Sequence, residues 1–279
     1  MSLGIAFKGS EGIVLAADSR VTLTAQMPGP VAGTLFLLPS TFDNATKLLK
    51  AKGQDYVGAV TFGVGAIGGK EPRTAHSFLN ELEAELGKAG VGRLSVEEFS
   101  RRLGEFFLGK WKDAGMPIPA SETEQMFFLI GGFDEGAVYG RLFEVVIPNR
   151  AVPKEQIPRD FGALWGGQRE FVDRLLQGYD ARLPGFIKSE FKPSAADEAK
   201  LAKKLTELGI TIPFQFLPLQ DCVDLSVFLI RTTINLQTWQ VGVRGVGGAI
   251  DVATITQTDG FKPLQQKTVK VASNREYSS

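Results

Sequence analysis

The chain commits itself to paired strands within its first eighteen residues. LGIAFKG and GIVLAADSR are short, nearly continuous apolar runs, and Gly9-Ser10-Glu11-Gly12 between them is turn chemistry, so the opening reads as a β-hairpin. The first strand begins at the second residue, and termini fray unless something ties them down, so the terminus is expected to have a task of its own.

Beyond Val21 the stretch 25–41 carries Pro28, Pro30 and Pro39 and reads as an irregular excursion before strand character resumes within 42–69. Two helices follow, expected as an antiparallel pair. Ala75, Phe78, Leu79, Leu82 and Leu86 mark the buried stripe of the first. Phe99, Leu103, Phe106 and Phe107 mark that of the second, over 95–114, with Ser95 and Glu98 as its capping box. Residues 123–147 form a hairpin turning at Phe133-Asp134-Glu135-Gly136, and 161–180 read as a strand and then a helix. Residues 179–218, with four prolines and a charged helix at 196–208, read as an insertion packed on the body. A long helix from 219 carries Val223, Val227, Ile230 and Ile234 on one side, and 246–257 return to strand. The expectation is one domain over 1–279 of α+β class, with sheets between helical layers.

Composition narrows the chemistry. Lysine plus arginine equals aspartate plus glutamate at 31 each, so no global field draws the chain to nucleic acid or an anionic membrane. No run reaches the roughly 18 apolar residues of a membrane span, and no basic-then-apolar leader opens the chain, so a cytoplasmic location is expected. Cys222 is the single cysteine and His76 the single histidine, which removes disulfides, Cys/His zinc sites and a Cys-His dyad. His76 lies within the first helical stripe and reads as a flanking helix residue. Neither a metal nor a cofactor is expected, and hydrolytic chemistry would need another base.

GIVLAADSR close behind the start, a lysine in NATKLLK and a glycine after AVTF together resemble the proteasome family of N-terminal nucleophile (Ntn) hydrolases, specifically its β-type, peptidase-like members. That resemblance implies the four-layer αββα sandwich and a homo-oligomer, a ring or related assembly. It makes Ser2 the nucleophile once Met1 is removed, and Asp18 the aspartate closing the second strand. Lys47 becomes the strand-start lysine, with Lys50 as fallback, and Gly63 the residue whose backbone N–H faces the oxyanion. Val21, Thr61 and Gly65 would line the pocket for the substrate side chain.

In such a site the free α-amine of Ser2, with an ordinary pKa of about 7.7 to 8.0, takes the proton of its own hydroxyl, directly or through a water. A buried Lys47 ammonium lowers the pKa of the nearby amine or hydroxyl, and Asp18 holds that lysine charged and oriented. The resemblance breaks at three supporting positions. Gly166 stands where the family has a serine, and Val243 and Val246 where it has an aspartate and a serine. In this departure the chain is similar to bacterial proteasome relatives such as the Anbu type. The reading is an N-terminal-serine hydrolase of peptide or amide bonds, with an ATPase partner left unassigned. The alternatives are a non-catalytic proteasome-like scaffold or partner-binding subunit, and an acylase-like enzyme for small amides.

Overall fold

A computed structural model describes residues 2–28, 35–69, 71–88, 90 and 92–267. The architecture is mixed α and β with antiparallel sheets, in keeping with the α+β expectation. The opening hairpin, β1 (Leu3–Lys8) and β2 (Ile13–Asp18), lies inside a five-stranded sheet of order β10-β1-β2-β11-β12. Its other members are β10 (Gly162–Gly167), β11 (Ile250–Thr256) and β12 (Gly260–Gln265). The second five-stranded sheet runs β5 (Leu48–Leu49), β6 (Val57–Gly63), β7 (Met126–Gly132), β8 (Arg141–Ile147) and β9 (Arg150–Gln156) in that order.

β1 and β2 are buried at every position because both faces of their sheet are covered. Successive side chains alternate faces. Leu3, Ile5 and Phe7 join a core with Val172, Cys222, Val223 and Ile230 of α3 (Glu170–Leu176) and α6 (Leu219–Trp239). Ala6, Leu15 and Ala17 face the other sheet and meet Val60, Phe62, Leu129 and Leu142. On the far side, Phe128 and Phe143 pack against Phe78, Phe99, Phe107 and Trp111, around α1 (Leu79–Lys88) and α2 (Val96–Asp113). Burial pushes the Cys222 thiol up to about 11, which makes it an inert packing residue.

The predicted helix pair is present. Lys110 near the end of α2 pairs with Glu81 at the start of α1, as antiparallel neighbours do. Half of the expected capping box forms: Ser95 Oγ accepts from Glu98 N–H, whereas the Glu98 carboxylate binds Arg101 and Arg102, which hold its pKa down at about 2. The His76 segment is a 3₁₀ turn, with His76 itself exposed.

One expectation needs correction, and two elements appear that the sequence reading does not include. The stretch read as irregular contains a long two-stranded hairpin, β3 (Val21–Pro28) and β4 (Leu35–Phe42), with Pro28 and Pro39 inside its strands. This ribbon forms a sheet of its own, and proline is tolerated on such edge positions. β9 was hidden by its charged sequence RAVPKEQ, which is polar because it is an edge strand. The insertion holds a second helix, α4 (Leu183–Phe191), ahead of α5 (Ala195–Thr206). It docks through Ile212, Phe214 and Leu217, while α4 itself buries no residue. Among the described residues no helix is long and apolar enough to cross a membrane.

Candidate active site

Asp18 ends β2, where the hairpin register puts it opposite the start of β1. Its side chain is fully buried and takes four hydrogen bonds. Oδ1 accepts from Leu3 N–H at 3.0 Å and from Lys47 Nζ at 2.7 Å. Oδ2 accepts from Arg20 N–H and from Gly247 N–H, each at 3.0 Å. A carboxylate whose lone pairs are occupied in this way orients the groups around it and balances their charge.

Lys47 immediately precedes β5, and its carbonyl accepts from Thr61 N–H of β6 at 3.0 Å. It therefore belongs to the second sheet while its ammonium reaches Asp18 of the first, and the pair bridges the two sheets with 4% and 0% side-chain exposure. Burial pushes the Lys47 pKa down, and the Asp18 charge opposes that shift without cancelling it. Lys50 instead makes an exposed pair with Asp55.

Ser2 is buried, and its carbonyl accepts from Gln168 N–H at 2.8 Å just beyond the Leu3–Gly167 pairing of β1 and β10. Met1, whose removal the sequence reading requires, lies outside the described residues. Ser2, Lys47, Val21, Thr61 and Gly65 all line one cavity of about 10 Å³, room for at most a single water. Thr61 Oγ1 is buried there without a hydrogen-bond partner among the described residues. Five residues that sequence reasoning named from separate segments thus meet at one point, though around a space too small for a substrate side chain. A much larger cleft of about 1040 Å³ adjoins it, sharing Phe62, Val64 and Gly65 and extending along Trp165 to Arg169.

Gly63 lies at the rim of that cleft with φ 88°, and a Cβ there would come within 2.3 Å of the Gln125 carbonyl. Only glycine fits this position.

The structure accounts for the glycine at 166. Gly4 and Gly166 face each other across β1 and β10, and the Phe62 ring of the opposite sheet sits over both. A Cβ on Gly166 would lie 2.3 Å from the ring, which is also stacked on Phe127 at 5.2 Å. Gly166→Ser is therefore expected to destabilise the fold by about 1–3 kcal/mol through overpacking, with no gain in activity. Urea unfolding of that variant, alone and combined with Phe62→Ala, tests this: the clash predicts a smaller cost for the serine once the ring is removed. Equal stability of Gly166→Ser and wild type would contradict it.

Of the other two departures, Val243 is exposed, whereas Val246 is buried with its N–H donating to Gln237 Oε1 at 3.0 Å. Sequence reasoning missed Phe62, Gln237 and a second, partly buried pair, Lys267 with Asp251 at 2.6 Å, whose lysine also reaches Ser19 Oγ and the Ala45 carbonyl. The pair contributes to the electrostatic surroundings of Lys47.

No protein-family model and no curated protein matches the chain. Solved structures do. Anbu, described as an ancestral β-subunit, from Yersinia bercovieri aligns with a TM-score of 0.55 at 16% identity, over 94% of this chain and 86% of that one. The helical assembly of the Anbu complex from Pseudomonas aeruginosa aligns with a TM-score of 0.55 at 14% identity, over 94% and 84%. A Gly-1 mutant of Anbu from Hyphomicrobium sp. strain MC1 aligns with a TM-score of 0.53 at 14% identity, over 96% and 86%. The chain shares its fold with these proteins.

Proposed function

We propose that the chain is a proteasome-like subunit of the Ntn-hydrolase type, an N-terminal-serine hydrolase that cleaves peptide or amide bonds within a cytoplasmic homo-oligomer. The fold shared with Anbu supports the proteasome-like part of this reading, and the helical assembly described for the Pseudomonas protein supports an oligomer. On this reading the two helical layers and two sheets are the αββα sandwich, and 1–279 is one domain with an insertion at about 179–218. The single observation that carries the chemistry is the buried Asp18–Lys47 pair opening on the cavity that Ser2 also lines.

With Met1 removed, the α-amine of Ser2 accepts the hydroxyl proton, through the one water the cavity admits, and Oγ attacks the substrate carbonyl. Thr61 Oγ1, without a partner among the described residues, would hold that water. The Gly63 N–H stabilises the tetrahedral oxyanion. The ammonium then gives its proton to the leaving amine as the C–N bond breaks, and water hydrolyses the ester that remains. Lys47, charged beside the amine, keeps the amine's pKa low enough for it to begin neutral near pH 7. Substrate runs along the larger cleft and meets the small cavity at Gly65, which lines both, while Val21 and Thr61 enclose the water-sized space beside Ser2.

A second reading, a scaffold that kept the fold and lost the reaction, is favoured by the Phe62 ring over Gly166. One measurement separates the two. Intact mass after exposure to a peptide epoxyketone, which needs both a hydroxyl and a free α-amine, is expected to show loss of one methionine and gain of one adduct. A retained Met1 with no adduct selects the scaffold.

A further inference from the structure

The amide of Gln237 is an unusual object in this fold: it sits near the end of α6, only 3% exposed, with each of its polar ends committed. Its Oε1 accepts from the Val246 N–H, and its Nε2 donates to Gln168 Oε1. A backbone N–H can only donate, so the Val246 bond dictates which end of Gln237 faces that loop. Its Nε2 must then face Gln168, and Gln168 must present its oxygen. One backbone group thereby orients two side-chain amides in series.

Both loops joined by this amide end on the candidate site. The Gln168 backbone N–H holds the Ser2 carbonyl at 2.8 Å, and Gly247, next to Val246, donates to Asp18 Oδ2 at 3.0 Å. Gly166 at the end of β10, just before the Gln168 loop, and Val243 and Val246 in or before the Gly247 loop stand where the family resemblance leads one to expect polar residues. A serine at 166 is sterically closed off by Phe62, so support has to come from elsewhere.

We infer that Gln237 is a positioning residue that clamps the Gln168 and Gly247 loops together and so holds Ser2 and Asp18 in register for the reaction; this rests on the hydrolase reading above. It acts through those loops and touches neither Ser2 nor the substrate. Leaving a buried amide or N–H without its partner is costly, so the clamp loosens as a unit when either glutamine is lost.

The test compares wild type with Gln237→Leu, Gln168→Leu, the double variant and Gln168→Glu, whose carboxylate still accepts from Gln237 Nε2. Two readouts are taken: the rate of Ser2 adduct formation at saturating epoxyketone, and hydrogen exchange over residues 2–8 and 166–168. Gln237→Leu is expected to slow the adduct step about 100-fold, the scale of a small misplacement of reacting groups, with little change in half-saturation. It is also expected to raise exchange in both segments. The double variant should be no worse than either leucine variant, as expected for coupled sites, and Gln168→Glu should retain the wild-type exchange in both segments. Wild-type rate and exchange in Gln237→Leu would overturn the clamp. If wild type itself forms no adduct, the hydrolase reading fails, while the exchange comparison still decides the clamp.

Discussion

Ser2→Ala is expected to bring amide hydrolysis and epoxyketone labelling to background, a loss on the order of 10⁴-fold or more, while leaving the protein folded. The substitution removes one oxygen and nothing that the fold uses. The carbonyl of residue 2 still accepts from Gln168 N–H, and Leu3 N–H still donates to Asp18. The melting temperature and oligomeric state are therefore expected to match wild type. Hydrolysis at the wild-type rate in this variant would eliminate Ser2 as the nucleophile and with it the proposed chemistry.

Asp18→Ala should have the largest effect on stability. It leaves Lys47 Nζ and the N–H groups of Leu3, Arg20 and Gly247 without their acceptor in a region closed to water. Breaking a buried pair from one side costs about 3–5 kcal/mol, and for a chain of this size that corresponds to a fall in Tm of about 6–20 °C. The pH dependence has a definite sign. The folded-state pKa of Lys47 already lies below 10.5, and losing Asp18 removes the group that pulls it up. A lysine with a depressed folded pKa binds fewer protons folded than unfolded, so stability rises with pH from that pKa toward the unfolded value. The deficit of Asp18→Ala against wild type should thus be greatest near neutral pH and shrink as pH approaches 10.5. Replacing both partners, Asp18→Leu with Lys47→Met, should recover the part of the loss that comes from the unpaired lysine charge, but not the part from the three orphaned N–H groups, and none of the activity. Urea titrations at several pH values measure all three proteins, and an Asp18→Ala deficit that grows with pH would rule out this account.

The β1–β2 hairpin, the α1–α2 stripes and the β7–β8 hairpin were readable because their signals are local: apolar periodicity and a turn sit within twenty or so residues of each other. The register of the same hairpin puts Leu3 beside Asp18, and that closeness was implicit in the turn length. β3 and β4 were misread because proline is a strong local breaker, and nothing local says that a hairpin will stand as a separate ribbon where proline is tolerated. β9 and α4 were missed because exposed elements lack the periodic burial that reveals an element.

Sequence alone determined the class of the fold and the segments from which a site could be drawn, since strand alternation and turn chemistry act between near neighbours. Only the tertiary structure decided that Ser2, Lys47 and Thr61 line one cavity and that Phe62 forbids a side chain at 166. It alone also showed that Gln237 joins two loops on which Ser2 and Asp18 lean. Each of those facts is a contact between different sheets or between a helix end and distant loops. Such contacts follow from how whole layers pack, and no local pattern in the chain encodes them.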